Sequence, residues 1–293
     1  MIKLYLGRTK GGREMITDKQ RALAERFKNM HKENKMFLLP NAWDAGSAYI
    51  FEKEGFKAIG TSSAGIAYSL GYPDGEDISF DDLLLCVKQI VRRIDIPLSV
   101  DFEHGYGDTI EQIKTNAYKL LSNGVVGFNI EDGRPDGTLD ELEFITKKIK
   151  ALVELKKELK LDFTINARTC TYWLNVADEE TKFKIAVERG NSFKEAGADC
   201  VFIPGAVSKS IVKELVEKIN SPINIILNPE FYNFKELESI GVRRLSLGSG
   251  PVRSVFNHLI NLASNLQKGN VEEMLQNPFT YNKANVYFDK EKI

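Results

Sequence analysis

Cysteine is scarce in this sequence, and what there is does not pair. Cys86, Cys170 and Cys200 are the three cysteines, far apart and without a C-x-x-C spacing. They read as free thiols in a reducing compartment, which places the chain in the cytoplasm. A surplus of charge is lacking as well. Forty basic against 41 acidic residues leave a formal net charge of −1, so nothing draws the chain as a whole toward nucleic acid or an anionic membrane. Long apolar runs are missing; the longest are of strand length, so no segment is fit to span a bilayer. No linker, low-complexity run or obvious repeat divides the 293 residues, a length at which α/β barrels occur as one unit. Residues 1–15 carry Lys3, Arg8, Lys10 and Arg13 beside Gly11-Gly12, and their apolar segment runs only from Ile2 to Leu6. That is too short for a signal peptide. The stretch is read as a loosely held extension or a start-site artefact, with a targeting peptide as the alternative.

What the sequence does have is a regular alternation. Thr17 or Asp18 can cap a helix with Leu23, Phe27 and Met30 on one face. After it come eight short apolar runs, at 36–40, 57–61, 97–100, 125–130, 163–167, 200–203, 223–227 and 244–247. Each leads to a helical stretch, at 45–54, 80–93, 109–122, 139–159, 179–195, 209–219, 234–240 and 252–267. The runs show no clean polar alternation, as expected of parallel strands buried on both faces. Parallel neighbours need a helical crossover. The count and length predict an α/β fold, a (β/α)8 TIM-type barrel, over residues 16–268. The tail, 269–293, is expected to pack on the barrel or on a neighbouring subunit. An open doubly wound sheet would show a glycine-rich first turn, and Pro40-Asn41-Ala42 is not one. Gly190 falls inside a predicted helix, where glycine costs on the order of 1 kcal/mol.

In a barrel the chemistry sits at the C-terminal strand ends. Those ends carry Asp44, Ser62, Ser63, Asp101, Glu103, Glu131, Asp132, Arg168, Asn228 and Glu230, with Asp74 on the loop after the second strand. Strand alternation puts Asp101 and Glu103 on the same side. Two carboxylates there repel unless a divalent cation joins them, and hard oxygen ligands suit Mg²⁺ or Mn²⁺. Several acids around one arginine point to a metal site facing a small anionic substrate.

The stretches Gly55-Phe-Lys-Ala-Ile-Gly-Thr-Ser-Ser-Ala64, Leu70-Gly-Tyr-Pro-Asp74, Val100-Asp-Phe-Glu-His-Gly-Tyr-Gly107, Asn129-Ile-Glu-Asp132, Asn166-Ala-Arg-Thr169 and Glu195-Ala-Gly-Ala-Asp199 resemble, in order and spacing, the isocitrate lyase/phosphoenolpyruvate mutase superfamily. The likeness runs from about Phe37 to Arg253. It implies a barrel whose last helix is exchanged between subunits, in a homodimer or homotetramer. By the same resemblance Asp101 is the direct Mg²⁺ ligand, and Glu103 and Glu131 hold the metal's waters. Asp74 stands near the reacting carbon. Ser62, Ser63 and Ala64 receive the carboxylate of a 2-oxo acid, Arg168 binds the anionic end, and Asn228 adds a polar contact. The activity implied is cleavage of a C–C bond in a small 2-oxo or 2-hydroxy polycarboxylate, methylisocitrate-like or oxaloacetate-like, through a metal-stabilised enolate. C–P chemistry, as phosphoenolpyruvate mutase or phosphonopyruvate hydrolase, is the alternative; a non-catalytic barrel that binds a 2-oxo acid is another.

The chain also departs from the superfamily. Where isocitrate lyases carry a lid with a proton-donating cysteine and a histidine, residues 131–138 read Glu-Asp-Gly-Arg-Pro-Asp-Gly-Thr. Arg134 and Thr138 are loose stand-ins for the lid groups of the mutases. The usual Asp-x-Asp is Asp101-x-Glu103 here. Cys170 is read as a small buried residue, with proton donation as the alternative. His104 is read as a hydrogen-bonded loop residue, with an acid/base role as the alternative, and Trp43 as core packing, with a pocket wall as the alternative. Tyr72 and Tyr106 are either proton donors at the mouth or packing groups.

Overall fold

Pro40 splits the first strand in two, and that interruption sets how the sheet closes. In the computed structural model, which describes residues 16–205, 208–231 and 233–289, Phe37–Leu39 (β1) and Asn41–Ala42 (β2) lie on either side of the proline. β1 pairs with Arg244–Ser246 (β9), while β2 pairs with Ile59–Thr61 (β3). Between them run Leu98–Asp101 (β4), Gly127–Glu131 (β5), Thr164–Arg168 (β6), Cys200–Phe202 (β7) and Ile223–Ile226 (β8). The order is β1-β9-β8-β7-β6-β5-β4-β3-β2, and every pairing is parallel. Because its two ends are consecutive in the chain, the sheet curls into the expected (β/α)8 barrel. Residues 1–15, read from sequence as an extension, lie outside the described residues.

Helices wrap this sheet. Asp18–Lys32 (α1) precedes the barrel. Ala45–Lys53 (α2), Ser63–Leu70 (α3), Phe80–Val91 (α4), Ile110–Leu121 (α5) and Leu142–Leu159 (α6) follow the first strands. Glu179–Ala196 (α7), Lys209–Lys218 (α8), Phe234–Ile240 (α9) and Gly250–Gln267 (α10) follow the rest. Most start where a short polar side chain accepts the N–H three residues on: Asp44, Ser79, Thr109, Asp178, Ser208 and Asn233. Such caps contribute about 1 kcal/mol each. Gly190 has a packing reason: a Cβ there would come within 2.8 Å of the Ile219 side chain, so glycine lets α7 lie close to its neighbour.

Two elements differ from the sequence reading. The Ser-Ser-Ala-Gly run after β3 is the start of α3, because Ser62 caps it through the Gly65 N–H. α6 begins at Leu142 rather than at 139, because residues 133–139 close into a short hairpin. Among the described residues no helix is long and apolar enough to cross a membrane.

The end of the barrel away from the strand C-termini is closed by α1. Its Gln20 amide donates to the Leu121 and Val125 carbonyls at 2.7 and 2.9 Å. Phe27 and His31 pack edge-on with Phe37, and the Arg244 guanidinium lies 6.0 Å from the Phe27 ring. At the other terminus α10 buries Val252 and leaves Val255, Leu259 and Ile260 exposed. Glu272–Leu275 (α11) and Tyr281–Phe288 (α12) then return the chain, so that Tyr287 and Phe288 meet Tyr49 of α2.

The buried His31 makes a pH prediction. Burial first, then the Arg244 charge, lowers its pKa to about 3. The unfolded chain therefore binds more protons between about pH 3 and 6.5, and this histidine's contribution is lost as pH falls through that window. Urea unfolding from pH 7 to 4.5 is expected to show a loss of stability that His31→Gln reduces by up to about 1.4 kcal/mol per pH unit. Identical slopes for the two proteins would contradict it.

Candidate active site

Asp101 ends β4, and both of its carboxylate oxygens are held. Oδ1 accepts the Asn129 side-chain N–H at 3.1 Å. Oδ2 accepts the Ser63 hydroxyl at 3.0 Å and the Ser63 backbone N–H at 3.3 Å. Asn129 is the cross-strand neighbour of Asp101 in the β4–β5 register. Glu103 departs from the expected alternation. The strand has ended, and Glu103 has φ +50, so a left-handed turn rather than strand pleat keeps it near Asp101. Its Oε1 accepts the Tyr106 hydroxyl at 2.5 Å, and its Oε2 accepts the Glu76 N–H at 3.2 Å. Gly105 completes the turn at φ +114, and a Cβ there would lie 2.8 Å from Ile113; L-residues disfavour that backbone region.

Glu131 ends β5, and Arg168 ends β6 as its register partner. Their side chains meet at 2.8 Å and are largely buried. The Arg168 guanidinium lies beside the Trp173 and Phe202 rings, at 5.6 and 5.7 Å, and its buried Nε has no hydrogen-bond partner. Asp74 stands exposed at the rim on the loop after α3, near the Ser63 side chain. These acids act on one another. Burial first, and then the Asp101 charge, pushes Glu103 up to about 9. Glu131 is pushed up to about 7 by burial, which outweighs the opposing Arg168; Asp101 and Asp132 add to the rise. Asp74 is raised by desolvation and then by Asp101.

Several residues read as candidates also carry bonds within the fold. Asp44 closes a capping box with Ser47. Asp132 is fully buried, accepting the Cys170 N–H at 2.7 Å and pairing with Arg189 at 3.0 Å. His104 meets Asp140 at 3.0 Å and stacks on Phe144. The fully buried Lys148 donates to Asp140 and to the carbonyls of His104 and Glu131, tying together the ends of β4 and β5. Glu230 and Tyr72 are exposed. Asn228 Oδ1 accepts the Glu230 N–H at 2.8 Å, shaping the turn after β8. Ser62 serves as a cap, while Ala64 is buried in the first turn of α3. Cys170 is buried, with its thiol against Glu131 and Arg168. Arg134, on the hairpin, is half exposed and lies 3.5 Å from Asp136 and 3.9 Å from Asp140.

Sequence reasoning assigned no role to Asn129 or Glu76, which help hold the carboxylates; Tyr106, read as a proton donor at the mouth or a packing group, donates its hydroxyl to Glu103. Asn129 was within reach, since it shares a strand face with Glu131 two residues on. Glu76 sits in a loop and left no periodic signal.

The profile of the family described as phosphoenolpyruvate phosphomutase matches residues 27–267. The chain belongs to this family. It is 33% identical over 225 residues to an uncharacterized protein of Mycobacterium tuberculosis, covering 77% of this chain and 82% of that one. It is 28% identical over 208 residues to the 2-methylisocitrate lyase of Halalkalibacterium halodurans, covering 70% and 67%. Among solved structures, a candidate lyase/mutase from Burkholderia cenocepacia superposes with a TM-score of 0.87 at 27% identity, over 94% of this chain and 99% of that one. Family membership carries lyase or mutase chemistry on small carboxylate or 2-oxo-acid substrates.

The superfamily implies a divalent metal. Among the described residues no three His, Cys, Asp or Glu side chains stand together as a ready cation cage. The donor chemistry fits all the same. Asp101, Glu103 and Glu131 offer hard oxygens, and the last two are raised by burial and by Asp101, a strain that a cation relieves.

The ion pair between Glu131 and Arg168 is testable through stability. Breaking a buried pair from one side typically costs about 3–5 kcal/mol. Arg168→Met is expected to lose about 3 kcal/mol in urea unfolding, and adding Glu131→Gln should recover most of it. A double-mutant coupling near zero would show that the two side chains act independently.

Proposed function

We propose that the chain is a Mg²⁺-dependent lyase that cleaves a C–C bond in a small 2-oxo or 2-hydroxy polycarboxylate, methylisocitrate-like or oxaloacetate-like. The observation that carries the reading is the gathering of Asp74, Glu103 and Glu131 around Asp101, each raised first by burial and further by the Asp101 charge, beside an arginine with a buried, unused N–H. Such perturbed carboxyls gathered at one barrel rim mark a site that handles charge. Asp101 would hold the metal, Mg²⁺ or Mn²⁺, with Glu103 and Glu131 keeping its waters. The metal would supply counter-charge to the oxygen that gains electron density as the bond breaks.

The chain's own residues do the rest. Arg168 grips the substrate's anionic end through its fork of N–H donors. Ser62, Ser63 and Ala64 offer the first turn of α3, whose N–H groups favour a carboxylate; Asn228 adds a polar contact. Asp74, raised and facing the Asp101 side of the rim, is placed to handle a proton at the reacting carbon.

The 2-methylisocitrate lyase relative supports C–C cleavage. The family's description as a phosphomutase favours a second reading, C–P chemistry. Against that reading, Arg134 is turned toward Asp136 and Asp140, and the hairpin has no other cation to meet a phosphonate. The exposed Val255, Leu259 and Ile260 of α10 suit burial against a second copy, in a homodimer or homotetramer with that helix exchanged. The free cysteines suit a cytoplasmic enzyme.

The test is a substrate panel with Mg²⁺: 2-methylisocitrate, oxaloacetate, 2,3-dimethylmalate and phosphonopyruvate, with products read by mass spectrometry. Turnover of a carboxylate substrate is expected, abolished by EDTA. Asp101→Asn should lower kcat/KM by roughly a thousandfold. Turnover of phosphonopyruvate alone would support C–P chemistry. Silence on the whole panel with retained metal-dependent oxalate binding would support a non-catalytic barrel. Full activity of Asp101→Asn would remove the metal assignment.

A further inference from the structure

Glu76 lies on the loop between α3 and α4 and is bonded to the turn that follows β4. Its Oε1 accepts three successive backbone N–H groups, those of His104 at 2.8 Å, Gly105 at 3.2 Å and Tyr106 at 3.3 Å. Its own N–H donates to Glu103 Oε2 at 3.2 Å. Consecutive N–H groups turned inward form a concave anion cradle, and here a side chain of the same protein fills it. The contact is reciprocal. One carboxylate ties down the turn, while the backbone behind it orients the carboxylate of Glu103.

A second observation is independent of these bonds. Five non-glycine residues among those described have positive φ. Three of them, Glu76 at +61, Glu103 at +50 and Tyr106 at +52, belong to this one contact. Such backbone is unfavourable for L-residues and persists where surroundings over-determine it. Concentrated on both sides of one clasp, it marks a conformation selected for what it delivers.

What it delivers is proximity. Asp74 lies two residues before Glu76, and Asp101 and Glu103 lead into the turn. We infer that Glu76 is a positioning residue, which locks the loop of Asp74 onto the turn of Glu103 so that the two carboxylates face Asp101 together. It touches neither substrate nor metal. This rests on the reading of Asp101 and Glu103 as cation-holding groups, and it adds a residue that sets their geometry.

Two measurements on the full-length protein separate the inference from that reading. Without metal, hydrogen–deuterium exchange of the amides of 104–106 is expected to speed up about tenfold in Glu76→Ala, since charge-assisted bonds are lost. Glu76→Gln, which keeps one acceptor oxygen, should fall between. With Mn²⁺ alone, followed by electron paramagnetic resonance, Glu76→Ala should bind about tenfold more weakly than wild type, with partial rescue in Glu76→Gln. The melting temperature, read in parallel, should change little, because Glu76 is only partly buried on a surface loop. Unchanged exchange at 104–106 would overturn the clasp. Faster exchange with unchanged Mn²⁺ affinity would overturn the positioning role. A wild type that fails to bind Mn²⁺ would refute the metal reading, and the exchange measurement would still decide the clasp.

Discussion

Like charges brought together in a half-buried mouth must be held there against their own repulsion, and most of the rim is arranged around that constraint. Asp101 is gripped by Ser63 and Asn129, and Glu103 by Tyr106 and the Glu76 N–H. Glu131 is set against Arg168. These donors come from β5, β6, the start of α3 and two loops. The burial that makes the acids useful is also what lifts Glu103 and Glu131 out of the ordinary carboxylate range. A site of this kind is unstable by itself and depends on the fold to keep its members in place.

Support reaches the rim from inside the barrel. Asn129, which holds Asp101, accepts through Oδ1 from Asn166 at 2.7 Å and from Arg244 at 3.3 Å. Arg244 also donates to Ser246, which in turn donates to Asn224. A polar layer thus fills what would otherwise be apolar core, carried on β5, β6, β8 and β9. Burial lowers the Arg244 pKa to about 10, yet leaves it a cation at neutral pH. A charge so deep costs several kcal/mol unless it is hydrogen-bonded. Its charge is attracted to Asp101, the acid above it.

Much of this was legible in the sequence. The strand-length apolar runs and the helices between them gave the barrel, because buried parallel strands and crossovers leave few alternatives. The rim acids followed from reading the strand ends. The remainder was not legible, for physical reasons. Alternation pairs Asp101 with Glu103 only while the strand lasts, and the strand stops at Asp101. That Ser62 caps α3 was not legible either, because a helix cap and an anion site use the same residue types. Asp132 and Glu131 are neighbours in sequence, yet one turns to Arg189 and the other to Arg168. Glu76 acts through main-chain N–H groups, which no side-chain pattern reveals.

The seam at Pro40 has a consequence for how the molecule comes into being. β1 finds its hydrogen-bonding partner in β9, and the Asn41 side chain accepts the N–H groups of Leu247 and Gly248. During synthesis on the ribosome the first strand therefore emerges long before the segment that completes it. Contacts so distant along the chain slow folding. Until the last strand arrives, the nascent barrel has an open edge, and the polar layer beneath Asp101 lacks its arginine.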